Sequence, residues 1–170
     1  MKNLTLISIC LCFFVLANAQ TPAPDQNKRI LLYGGIAHIG NGEIIENSLI
    51  ILEGGKILTI EDASNVRIDI SGAEYHDVIG KHVYPGFILP NTTLGLADID
   101  AVRATRDFDE VGDFNPHIRS IIAYNTDSPV IPTIRTNGVL IGQITPRGGV
   151  ISGTSSLVEF DAWNYEDALY

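Results

Sequence analysis

Chemistry in this chain would come from a few side chains. Asn91, Thr92 and Thr93 follow an apolar run, Arg147 sits in a Pro-Arg-Gly-Gly stretch, and His38, His76, His82 and His117 are scattered. Asp107, Asp109, Glu110 and Asp113 form an acidic set. Around Arg147, the residues Pro146-Arg147-Gly148-Gly149 and Ser152-Gly153-Thr154-Ser155-Ser156 can build an anion-binding nest of backbone N–H groups. Ordinary turn chemistry accounts for the same residues. Asn91-Thr92-Thr93 reads as a turn that caps a following helix, or as a substrate contact. The histidines are expected on the surface or packed against strands, because no spacing gathers them into a ligand set. The acidic set lacks the glycine and terminal glutamate spacing of a calcium loop, so a solvated loop is expected. No G-x-S-x-G elbow, Walker loop or H-E-x-x-H is present.

The start of the chain is an address and not part of the fold. Lys2 supplies a positive charge, Leu4 to Leu16 is an apolar run, and Ala17-Asn18-Ala19 offers small residues for cleavage after Ala19. The run is too short for a bilayer, which needs about 20 residues, so no stable membrane anchor is expected. Export to the periplasm or beyond follows as the expectation. Both cysteines, Cys10 and Cys12, leave with this segment, and with them thiol nucleophiles and cysteine zinc sites. The remaining 151 residues carry 10 basic and 20 acidic side chains, a net charge of −10. That balance argues against nucleic acid, whose phosphates call for Lys and Arg. A small-molecule substrate is the expected partner, and the oligomeric state is not readable from these residues.

The rest divides by pattern. Residues 20–28 are a polar lead-in with two prolines. From 29 to 84 the pattern is β: runs at 30–33 and 36–39 broken by Gly34-Gly35, a strand at 48–52, a hairpin at Glu53-Gly54-Gly55-Lys56, a return strand at 56–60, and strands at 66–70 and 78–83. Short strands with glycine turns suggest a small antiparallel sandwich or half of one. From 85 the character changes. Phe87-Ile88-Leu89 is a short strand that Pro90 ends, and residues 96–108 are expected to be helical from the face shared by Leu96, Ile99 and Val102. Asn115-Pro116 and Ser128-Pro129 each read as a helix start, and Asn137-Gly138 as a stop. Val139 to Ile144 is apolar enough for a buried parallel strand, Leu157 to Phe160 is another, and a helix begins near Tyr165.

The junction between the two parts carries a resemblance. Gly80-Lys81-His82-Val83-Tyr84-Pro85-Gly86-Phe87-Ile88, preceded by Gly34-Gly35-Ile36 and Gly55-Lys56-Ile57, resembles the opening of the amidohydrolase superfamily, in particular its imidazolonepropionase-like branch and a secreted bacterial subgroup. The likeness runs from about Arg29 to the end of the chain. It implies a β-sandwich region over 29–84, part of a composite sandwich, and then from 85 to 170 the first part of a TIM-type (β/α)8 barrel. The chain is too short for a complete barrel of roughly 250 residues, so an amino-terminal fragment is expected. Members of the superfamily hydrolyse non-peptide C–N bonds, amides or cyclic amides, using a divalent metal of the zinc type held in part by H-x-H on the first barrel strand. Asn91 and Thr93 stand at those two positions here, so no metal ligand is assignable in this chain. Three accounts remain: a metal held by later ligands, metal-free chemistry, or a non-catalytic exported scaffold or binding protein. Asn91, Thr93 and Arg147 are the candidate substrate contacts, the catalytic residues are not assignable, and these residues alone are expected to be inactive.

Overall fold

The structure is a computed structural model that describes residues 22–67 and 69–170. The segment read as an export signal, 1–19, lies outside the described residues. Contacts divide the chain into two units, one holding Ala23–Ile88 with Gly138–Ile141, the other Leu89–Asn137 with Gly142–Tyr170.

The first unit is built around β1 (Ile30–His38). Its neighbour β2 (Ile44–Glu53) runs antiparallel, and β3 (Lys56–Asp62) returns beside β2 through the glycine hairpin. On the other side of β1 lie β4 (Glu74–Asp77) and β5 (His82–Val83), both parallel to it. Alternate residues face one side, so Leu31 and Leu49 close a core with Ala63, flanked by Tyr33, Ile51, Val66 and Ala73. The buried Ser48 hydroxyl donates to the Gly35 carbonyl at 2.8 Å, where the β1–β2 register shifts.

Three expectations need correction here. The sheet is mixed and not purely antiparallel, because the segment after residue 73 runs alongside β1 in the same direction. Strand β1 is continuous where a break at Gly34-Gly35 was expected; the glycines mark bulges. Of the strand expected at 66–70, the described residues belong to no strand and lead into a turn, Asp69 accepting the Ser71 N–H at 2.9 Å. Strand β4 takes its place eight residues on.

Strands β6 (Phe87–Thr92), β7 (Val139–Ile144) and β8 (Ser156–Glu159) form a second sheet in that order. Phe87 N–H donates to Gly138 O and Thr145 N–H to Thr92 O, both at 2.8 Å, so β6 and β7 run parallel. Pro90 does not end β6. The strand lies at the sheet edge, where a missing N–H is tolerated.

The second unit holds two helices, α1 (Val130–Thr136) and α2 (Tyr165–Ala168), both near their expected starts. Asn164 caps α2 by accepting from Glu166 N–H and Asp167 N–H. The helix expected over 96–108 does not form. Ala97 bridges Arg106 antiparallel, Asp107 N–H donates to Leu96 O at 2.7 Å, and only Arg103–Thr105 is helical, as a 3-10 turn. Leu96 is buried, but Ile99 and Val102 are exposed, and an apolar stripe without a partner does not hold a helix. The helix expected after Asn115-Pro116 is replaced by a 3-10 turn at Ser120–Ala123. Residues 109–119 instead run beside 147–154, bridging at Asp109–Arg147, Phe114–Ile151 and Arg119–Thr154. Among the described residues, no helix is long and apolar enough to cross a membrane.

One buried group in this unit supports a stability prediction. Tyr124 is 6% exposed, its hydroxyl has no hydrogen-bond partner among the described residues, and burial pushes its phenol well above the usual tyrosine range. A polar atom buried without a partner costs about 1–3 kcal/mol. Tyr124→Phe is therefore expected to raise the thermal midpoint, by about 1 kcal/mol in stability. A lowered midpoint would show that the hydroxyl contributes a favourable contact.

Candidate functional site

The carboxyl ends of β6 and β7 lie side by side, and the residues that follow them carry the site. Asn91 has φ of 51°, and it is the sole non-glycine among the described residues with a positive value. Asparagine is among the few side chains that adopt this left-handed conformation at modest cost. Its conformation is held from two sides. Arg147 Nη1 donates to Asn91 Oδ1 at 2.8 Å and Arg147 Nη2 donates to the Asn91 carbonyl at 2.9 Å. Gln143 Oε1, in β7, accepts from the Asn91 N–H at 3.3 Å, and Gln143 Nε2 donates to Ser155 Oγ at 3.0 Å. A two-point guanidinium contact of this kind fixes direction as well as distance.

The structure thus brings together two of the three candidate residues. Thr93 does not join them; its carbonyl accepts from the N–H groups of Leu96 and Ala97. Thr92 takes the turn role, its hydroxyl accepting from Leu94 N–H at 3.1 Å. Gln143 and Ser155 were not singled out from the sequence. Gln143 had a signal, as the one polar side chain in Val139-Leu140-Ile141-Gly142-Gln143-Ile144.

Four backbone donors of 147–154 are used within the fold, as the turn reading of this stretch requires. Arg147 N–H donates to Phe108 O, Val150 N–H and Ile151 N–H to Asp113 O, and Thr154 N–H to Ile118 O. These donors bind carbonyls of the neighbouring segment and are not gathered toward an anion. The same loop borders a cleft of about 290 Å3 through Pro146 and Ser152. Asp107, Asp109, Glu110, His117 and Arg119 supply its polar wall; the three carboxylates border the cleft and remain exposed, as does Asp113, in keeping with the solvated loop expected of the acidic set.

A divalent metal does not fit the first-strand residues. Both oxygens of Asn91 accept from a guanidinium, and that fixed positive charge opposes a second cation at the same atoms. An amide oxygen and a threonine hydroxyl are also poor zinc donors. Among the described residues, no group of three or more His, Cys, Asp or Glu side chains is placed to hold a metal.

Neither a family model nor a curated protein matches the chain. Solved structures do. An amidohydrolase from Thermotoga maritima MSB8 superposes with a TM-score of 0.75 over 83% of this chain and 36% of its own, at 21% sequence identity. A prolidase complexed with N-methylphosphonate-L-proline aligns over 42% of this chain and 17% of its own, with 26% identity and a TM-score of 0.36, too loose an overlap to inform the site. The chain therefore spans about a third of the length of the Thermotoga protein, and over that span it has the sheet-rich fold of an amidohydrolase's amino-terminal region.

Proposed function

We propose that the full-length protein is an exported hydrolase of the amidohydrolase type. It cleaves non-peptide C–N bonds, amides or cyclic amides, in a small molecule, with Asn91, Thr93 and Arg147 as substrate contacts. In this reading β6 and β7 are the first strands of a (β/α)8 barrel, whose reaction mouth lies at the carboxyl ends of its strands. The observation that carries it is the two-point contact of Arg147 with Asn91 at those ends.

The chemistry of the two side chains suits the assignment. Attack on an amide carbonyl places negative charge on its oxygen, and preorganised donors stabilise that charge. A guanidinium has five N–H donors, and the Asn91 contacts occupy two of its nitrogens, which leaves donors for a carbonyl or carboxylate oxygen. The bond to Asn91 holds the guanidinium in one orientation before substrate arrives. No step is assigned to a metal on Asn91 or Thr93.

The same contact favours a second reading, a non-catalytic exported binding protein, because it removes the first-strand position from metal ligation. One experiment separates the two. The full-length native protein is assayed for binding and hydrolysis across a panel of amides and lactams, beside Arg147→Lys and Arg147→Leu. Hydrolysis is expected, with kcat/KM lowered about 10²–10³-fold in Arg147→Leu and less in Arg147→Lys, which keeps the charge but not the fork. Binding without hydrolysis selects the second reading. A native protein that neither binds nor hydrolyses any member overturns both.

A further inference from the structure

In the unit built on β1, two histidines from separate strands meet. His38 ends β1 and His82 opens β5, and in the parallel register Ile36 lies opposite His82. Residue 38 is two positions past 36, so its side chain shares the face of His82, and Tyr84 shares it too. Nε2 of His38 lies 2.9 Å from Nδ1 of His82. The Tyr84 ring stacks on His38 with centroids 4.2 Å apart and planes at 11°, which limits rotation of that imidazole. His82 is exposed and His38 half-buried, so the facing nitrogens can be reached from solvent.

We propose that His38 and His82 form a two-imidazole site for a divalent transition metal of the copper or nickel class. Two nitrogens each about 2.0–2.1 Å from one ion and at right angles to each other are about 2.9 Å apart, the cis spacing of a tetragonal centre. A tetrahedral centre needs a wider spacing, of about 3.3 Å. Imidazole suits these ions, and affinity in such a donor set rises toward Cu2+. Water completes the coordination, so the ion exchanges. In the metal-free pair one facing nitrogen carries the shared hydrogen. Binding moves that ring's proton to its far nitrogen, and a neutral pair releases no net proton. This site does not depend on the hydrolase reading.

The test is titration of CuCl2, and separately NiCl2, into the native protein, followed by calorimetry and by electron paramagnetic resonance of the copper form. One equivalent should bind with hyperfine structure from two imidazole nitrogens. His38→Gln and His82→Gln should each bind about tenfold more weakly or worse, since loss even of an outer-shell partner costs 10–100-fold. His76→Gln and His117→Gln should bind as the native protein does. Circular dichroism checks the fold, and the exposed His82→Gln carries the test alone if His38→Gln does not fold. Absence of binding to the native protein, or undiminished binding by His82→Gln, overturns the proposal.

Discussion

Leu31→Ala is expected to destabilise the β1 unit by about 2–5 kcal/mol, the range for a leucine removed from a closed core. Leu31 is 0% exposed and packs with Leu49 and Ala63 under Tyr33, Ile51, Val66 and Ala73. Its strand is the one from which the sheet is hung, since β2, β4 and β5 all pair with β1. Those pairings hold the neighbours in place, so the space vacated by the side chain collapses only in part. Whole domains are stable by about 5–15 kcal/mol, so the loss is a large share of what a unit this small has. Leu58→Ala is the control: Leu58 is 58% exposed in β3, and a surface truncation of that kind stays within about 0.5 kcal/mol. Denaturant unfolding followed by circular dichroism reads both. Equal midpoints for the two variants would mean that Leu31 is not a core residue.

What the sequence revealed of this unit and what it hid follow from how far apart the deciding residues lie. The β2–β3 hairpin was legible because its cause is local. Gly54 and Gly55 both take positive φ, 58° and 73°, as a tight hairpin turn requires. Strand β4 was not legible. Glu74-Tyr75-His76-Asp77 is exposed throughout, so no alternation marks it, and it is a strand only because β1 lies beside it more than forty positions earlier. The pairing of His38 with His82 is hidden for the same reason, as two histidines 44 positions apart meet only through the parallel register. In the second unit the helical period over 96–108 was present, but a period commits a segment only if its apolar face is covered. The site was half legible. Arg147 and Asn91 drew notice by residue type, 56 positions apart, whereas their contact and the support from Gln143 and Ser155 are products of strand order.

Gly153→Ala should be strongly damaging to the second unit, at about 2–5 kcal/mol from two separate causes. The first is backbone conformation. Gly153 has φ of 129°, a region closed to residues with a Cβ. The second is space. A Cβ at this position would lie 2.7 Å from the Ile118 carbonyl oxygen and 2.9 Å from the Ile118 Cβ. That oxygen cannot withdraw freely, because it accepts the Thr154 N–H at 2.8 Å, and Thr154 O accepts the Ser120 N–H at 3.1 Å. Movement there displaces Ser120, whose buried hydroxyl donates to the Ile144 carbonyl at 2.8 Å, and Ser155, which holds Gln143 against Asn91. Gly112→Ala isolates the first cause. Its φ is 107°, but the nearest atom to an added Cβ is Asn115 Oδ1 at 3.6 Å, an ordinary contact. Gly112→Ala should therefore cost the backbone term alone, about 1–3 kcal/mol, and leave substrate binding intact once folded. Gly153→Ala should cost more and also weaken binding in the fraction that remains folded, because the strain passes through Ser155 and Gln143 to Asn91. Equal losses of stability in the two variants would show that the approach of Gly153 to Ile118 is not a constraint.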